Sequence, residues 1–214
     1  MGEVKIPLGT RDFSAQLLQI RNSNADVLVI TCSGFDKIAL LKQMAEYKIH
    51  DKIKVADNLN DYADYYSVKP EERRGWGASE LSYDETQMMI DFSKRFRAAY
   101  PNAIVPVIDC NIYNGYVALM ALNEGIEKAG TSEEVGKIIL AMEGLEVKKN
   151  LRAKPTYIDP RTHQFIGTIV NIEVNGKASP ETDFYKTLKT INAAEFEMTE
   201  AENPIDLRKE PLPK

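Results

Sequence analysis

The segment Cys32-Ser33-Gly34 offers the first chemistry in this chain. It follows an apolar run, Asp26-Val-Leu-Val-Ile-Thr31, and precedes Phe35 and Asp36, where a helix is expected to open. A polar turn between a buried strand and a helix N-terminus presents free backbone N–H groups, which favour an anionic group. Open α/β sheets take small molecules at that place, beyond the carboxyl ends of parallel strands. Ser33 reads as a hydroxyl contact to a ligand or as the cap of its helix, and Gly34 as a ligand contact or as the turn alone; the roles are compatible. A second polar cluster, Asp57-Asn58-Leu59-Asn60, follows the strand pattern Lys52-Ile-Lys-Val-Ala56. It reads as a polar lining or as an Asx-type turn. Tyr113 and Tyr116, near the start of a long helix, each offer a broad apolar face and one polar tip. They suit a closing surface or packing within a helix layer.

Catalysis has thin support. A Cys32 nucleophile needs a neighbouring base, and neither His50 nor His163 is close to it in sequence. The G-x-S-x-G, P-loop and G-x-G-x-x-G patterns are all missing. Two distant histidines and two separated cysteines make a poor metal site, so no catalytic residue, metal or cofactor is expected. Cys32 and Cys110 read as buried thiols behaving as small hydrophobes, with a disulfide left open by spacing alone.

The elements that must hold these residues follow from periodicity. Val4–Leu8 reads as a short strand with Pro7 near its end. Asp12 can cap a helix whose apolar positions are Phe13, Leu17, Leu18 and Ile20. The Asp26–Thr31 run has the continuous apolar character of a strand covered on both faces. Ser33 and Asp36 form a capping-box-like start for the next helix, which buries Ile38 and Leu41. A further helix is expected to open at Ser82-Tyr-Asp-Glu85, and the longest to run from about Asn111 to Lys128 with Gly130 as its C-cap. Ser132-Glu-Glu begins another, ended by Gly144, and Gln164–Val174 reads as a strand before an Asn175-Gly176 turn. The basic run Lys148, Lys149, Arg152 and Lys154 reads as a solvated loop. Beyond about Ser179 only short structure is expected. Strands alternating with helices give an α/β fold built on a parallel sheet flanked by helices.

The bulk composition narrows the function classes. The chain has 214 residues and a net charge of −5, without the basic patch or stripe of a nucleic-acid surface. No apolar run approaches the ~20 residues of a membrane-spanning helix. Met1-Gly-Glu-Val lacks the basic start and apolar core of a signal peptide.

The pattern GTRDFSAQLLQI followed by NADVLVITCSGFDKIALLKQM resembles the extracellular solute-binding proteins of ABC transporters. The similarity is to the type I periplasmic binding proteins of the branched-chain amino acid family. Two further segments carry it: Tyr116–Gly130 with Thr131-Ser-Glu-Glu-Val and Leu140–Leu145 behind it, and Asp159-Pro-Arg-Thr-His-Gln164 before an apolar strand. Order and spacing agree along about residues 1–174.

The resemblance implies the carboxyl-terminal part of an incomplete two-lobe clamshell. Residues 1–60 would be part of the second α/β lobe, 61–81 a crossover or hinge, and 82–155 the helical part of the first lobe. Residues 156–178 would return as a strand to the second lobe, leaving 179–214 as a tail. It implies ligand contacts from Cys32, Ser33 and Gly34, an ammonium partner near Asp57 and Asn58, and contacts across the cleft from Tyr116 and Tyr113. Tyr62, Tyr65 and Tyr66 read as lining cleft or hinge or, singly, as partly exposed loop aromatics; Trp76 would pack at the crossover, and His163 would serve a turn and lobe contact. The implied function is binding an amino acid or similar small carboxylate and delivering it to an ABC permease complex, in the periplasm or outside the cell. The alternatives are a ligand-sensing regulatory domain of the same fold and, less supported, an α/β enzyme. A chain lacking most of the first lobe's sheet is expected to bind its solute weakly or not at all, and to self-associate or hold a rearranged helical layer.

Overall fold

The computed structural model describes residues 2–79, 81–177 and 184–213. One five-stranded sheet organises it, with the spatial order β1-β2-β3-β6-β7. The strands β1 (Val27–Ile30), β2 (Lys54–Asp57) and β3 (Arg74–Ser79) run parallel. The strands β6 (Thr168–Asn175) and β7 (Tyr185–Asn192) complete the sheet in antiparallel pairing. The helix α1 (Ser14–Arg21) precedes β1, and α2 (Gly34–Glu46) and α3 (Tyr62–Tyr66) connect the parallel strands. Their apolar residues meet the sheet in one core that includes Leu17, Leu41, Met44, Val55, Tyr65 and Ile172. In β6 Thr168, Val170, Ile172 and Val174 point inward, the period-two pattern of a half-covered strand.

A second core lies among α4 (Gln87–Ala99), α5 (Cys110–Ala129), α6 (Val135–Met142) and the small pair β4 (Tyr157–Ile158) and β5 (Phe165–Ile166). Met89, Ile108, Tyr113 and Val117 are at its centre. Asp109 is the N-cap of α5, accepting from the Ile112 N–H at 2.9 Å, and Gly130 ends the helix in the left-handed conformation. Among the described residues no helix is long and apolar enough to cross a membrane.

Several expectations are corrected. Val4–Leu8 forms no strand, and Leu8 is fully exposed. β1 is the edge of the sheet, so Val27 and Val29 are half exposed instead of covered on both faces. The Gln164–Val174 run is broken at Gly167, with β5 and β6 in different sheets. The region beyond Ser179 contributes β7, an eight-residue strand, where only short structure was expected. Its apolar residues Tyr185, Leu188 and Ile191 recur every third position, so the period of two is not visible. α4 opens at Gln87 after the Thr86 cap, later than Ser82. Within the basic run Arg152 is buried, donating to Glu85 at 2.6 Å and to the Thr168 carbonyl at 2.8 Å. That charge is structural, tying the helical layer to β6. Trp76 lies on the open face of β3, with the Lys54 ammonium 5.7 Å from its ring.

Candidate ligand-binding cleft

The carboxyl ends of β1 and β2 stand side by side, with Ile30 in register with Asp57. The turn after β1 places Ser33 at the N-cap of α2 in extended conformation, followed by Gly34 with φ of 64°. Both are exposed, and Cys32 is half-buried beside them. The Ser33 hydroxyl makes no capping bond. Asp64 of α3 takes the Gly34 N–H instead, at 3.2 Å, so the cap comes from a distant carboxylate. Asp36 does not close a capping box either. It accepts from the Gly9 N–H at 2.7 Å and from Arg11 at 2.6 Å. Burial pushes the Cys32 thiol up, with Lys37 opposing. A protonated thiol is a poor nucleophile, which argues against Cys32 chemistry.

Beneath this turn lies a buried ionic cluster. The Lys37 ammonium has no solvent exposure and pairs with Asp57, with Asp64 3.6 Å away. It also donates to the Leu59 carbonyl. The Asp57 carboxylate, itself wholly buried, accepts from the Tyr65 hydroxyl at 3.1 Å and from the Leu59 N–H at 3.1 Å. Burial raises the Asp57 and Asp64 carboxyls, and Lys37 offsets only part of that, because two carboxylates share one ammonium. The expectation that Asp57 meets a ligand's ammonium is therefore corrected: its ammonium is Lys37. Asn58 is exposed at the rim, its N–H donating to the Ile30 carbonyl at 3.3 Å.

The tyrosines divide. Tyr113 is buried, its hydroxyl donating to the Asn150 carbonyl at 2.8 Å with the Arg152 guanidinium over its ring. It serves packing within the helical layer. Tyr116 is half-buried against Phe92, ring centroids 4.5 Å apart. Tyr65 is buried with its hydroxyl on Asp57, and Tyr66 stacks on Tyr62. His163, in the turn between β4 and β5, has φ of 55° and meets Glu143 at the end of α6 at 3.0 Å.

A small cavity of about 10 Å³ opens where the sheet's carboxyl ends meet the start of α5. Asn60, Tyr62, Ser82, Asp109, Cys110 and Tyr185 are in its wall. Asn60 approaches β3 closely because Gly77 lacks a side chain: a Cβ there would lie 1.9 Å from the Asp57 carbonyl oxygen and 2.4 Å from Asn60 Nδ2. Sequence reasoning singled out Asn60 and Tyr62 only in passing and missed Asp109, Asp64 and Lys37. The Asp-before-helix cap was a readable signal for Asp109. Nothing in the sequence marks Lys37, which sits on a helix face where lysines ordinarily meet water.

A family model described as periplasmic binding protein matches residues 1–179. No match is found among curated protein sequences. Among solved structures, a periplasmic binding protein from Burkholderia mallei is 20% identical, with a TM-score of 0.76 over 94% of this chain and 52% of its own. A leucine-, isoleucine-, valine-, threonine- and alanine-binding protein from Brucella ovis is 18% identical, with a TM-score of 0.72 over 90% of this chain and 50% of its own. A solute binding protein of an ABC transporter from Rhodopseudomonas palustris BisB5, in complex with 3,4-dihydroxybenzoic acid, is 19% identical. Its TM-score is 0.72, over 89% of this chain and 51% of its own. The chain thus spans about half the length of the solved structures it matches.

Proposed function

The chain belongs to the periplasmic binding protein family, in its type I branch, and on that premise we propose that it is part of the solute receptor of an ABC transporter. The proposed ligand is an amino acid or a similar small carboxylate, bound at the carboxyl ends of the parallel strands. The observation that carries this reading is the exposed Ser33-Gly34 turn at the N-terminus of α2, next to exposed Asn58 at the end of β2. The Gly34 N–H is taken by Asp64, and the remaining backbone N–H groups of the first turn of α2 suit a carboxylate. Asp57 and Asp64 act beneath it, fixing the turn through Lys37 and Gly34.

Cys32 contributes to the wall of this cleft, and Tyr116 supplies an aromatic surface from the helical layer. Tyr113 holds that layer to the segment at Asn150. Because the matched structures are about twice as long, we assign the remaining contacts of a closed cleft to a region outside these 214 residues. Closure on the solute would then create the surface an ABC permease complex reads, in the periplasm or outside the cell. The solved structures it resembles are binding proteins, which supports this reading.

Calorimetric titration with pooled L-amino acids and pooled benzoates, carried to millimolar concentration, tests the reading. Saturable heat with one pool, lost on Gly34→Pro, is expected. No heat with either pool would refute it.

A further inference from the structure

The tail of the chain links the two cores. It starts from β7, which pairs along β6 and so belongs to the sheet. The Tyr185 hydroxyl of β7 donates to the Asn60 carbonyl at 3.1 Å, and the Thr187 hydroxyl to Asp84 at 2.8 Å. Beyond Asn192 the chain leaves the sheet and crosses to the helical layer. Glu197 accepts from the Tyr157 hydroxyl of β4 at 2.8 Å. Arg161, in the turn between β4 and β5, donates from its guanidinium to the carbonyls of Asn203 and Ile205, the latter at 2.7 Å. Its own carbonyl takes the Leu207 N–H at 2.7 Å. Leu212 and Pro213 lie against α6 at Gly136, where an added Cβ would be 3.1 Å from the Pro213 carbonyl oxygen and 3.5 Å from Leu212 Cβ. The family model ends at residue 179, before β7 and this tail.

This attachment is firm on one side and light on the other. Arg161 stands on a closed turn: its N–H donates to Asp159 at 3.0 Å, and the Asp159 N–H donates to the Gln164 carbonyl at 2.8 Å. His163 joins the same turn to Glu143 at the end of α6. Pro204 lies between the two carbonyls that Arg161 holds, and its ring fixes φ there. The tail itself buries little, with Met198, Ile205 and Leu212 all exposed. A segment with few buried apolar contacts is at the low end of local stability. The other ties between the cores are of a different kind. They are the chain crossings at 79–86 and 166–168, Val107 set into the sheet core, and the buried Arg152–Glu85 pair. Those are covalent or buried, whereas the tail can let go with both cores intact.

We propose that residues 193–213 are a releasable strap, with Arg161 as its clasp. Docked, the strap holds the helical layer at one angle to the carboxyl ends of β1, β2 and β3; released, it lets that layer turn. Arg161 is a positioning residue in this scheme. The inference stands on the two-core architecture and is independent of the receptor reading.

The test uses the full chain, at a concentration where it is monomeric, and two variants. Arg161→Ala removes the guanidinium bonds. Gly136→Glu favours the helix of α6 and puts a side chain where Leu212 and Pro213 lie, so it loosens the strap and keeps the fold. Trypsin with intact-mass detection reads docking: loss of residues 209–214 or 210–214 should be about tenfold faster in each variant. Residual dipolar couplings of backbone amides read the angle. In the parent chain one alignment tensor should fit the sheet strands together with α4, α5 and α6. In the variants the two sets should need separate tensors. An unchanged trypsin rate in folded Arg161→Ala overturns the clasp. A freed strap with one tensor still sufficient, or a parent chain that already needs two, overturns the brace. If Arg161→Ala fails to fold, as its melting temperature would show, Gly136→Glu decides by the same two readouts.

Discussion

Lys37 is the residue on which the site's geometry depends. Taking one partner from a buried ion pair leaves an uncompensated charge, typically at a cost of about 3–5 kcal/mol. Lys37→Met leaves Asp57 and Asp64 facing each other, so urea unfolding should show a loss of about 3 kcal/mol or more. Lys37→Met combined with Asp57→Asn should recover part of it. His50 gives a pH signature. Burial, with Arg74 adding to it, lowers its pKa from 6.5 to about 4 in the folded chain. A histidine held neutral on folding stabilises fully above its unfolded pKa of 6.5 and loses that contribution as pH falls toward about 4. The loss is at most about 1.4 kcal/mol per pH unit across that window. Compared with the parent chain, His50→Leu should flatten the fall of stability in denaturant titrations from pH 6.5 down to 4. Of these residues the sequence showed Asp57 by position and hid its use. Whether a carboxylate faces solvent or a lysine depends on the helix packed over it, which no local pattern encodes.

At the scale of elements, the βα turns were legible and the edges were not. The start of α2 at Gly34 and the end of α5 at Gly130 follow from local chemistry, so sequence found both. The edge position of β1 and the addition of β7 depend on long-range pairing, which local chemistry does not report. β3 owes its close contact with β2 to Gly77. Gly77→Ala places a methyl against the Asp57 backbone, where relief requires the strands to move. A destabilisation of about 2 kcal/mol or more is expected, of the size seen when a packed interior is overfilled. Thr86 caps α4 through the Met89 N–H at 3.0 Å and also donates to the Leu151 carbonyl at 2.7 Å. Thr86→Ala should cost about 1–2 kcal/mol. Circular dichroism melts resolve both changes.

The whole molecule leaves apolar side chains facing out of the helical layer, among them Leu119, Leu122, Val135 and Leu140. Exposed apolar surface of this kind drives association. Sedimentation velocity should therefore show oligomers whose fraction grows with concentration, and Leu119→Lys with Leu140→Lys should shift them toward monomer. A strict monomer at all concentrations would contradict this. The family and the α/β architecture were readable from residue order alone, because the βα units around Cys32-Ser33-Gly34 are local. The cleft's inner wall was not, because Asn60 and Asp109 are 49 positions apart in the numbering and meet only through the packing of α5 on the sheet.

The most direct measurement is a nitrogen-15 NMR titration of the chain with pooled L-amino acids to millimolar concentration. The account predicts saturable shifts at the amides of Gly34 and Asn58. No shifts, or shifts confined to the separate groove around Phe96 and Pro101, would contradict it.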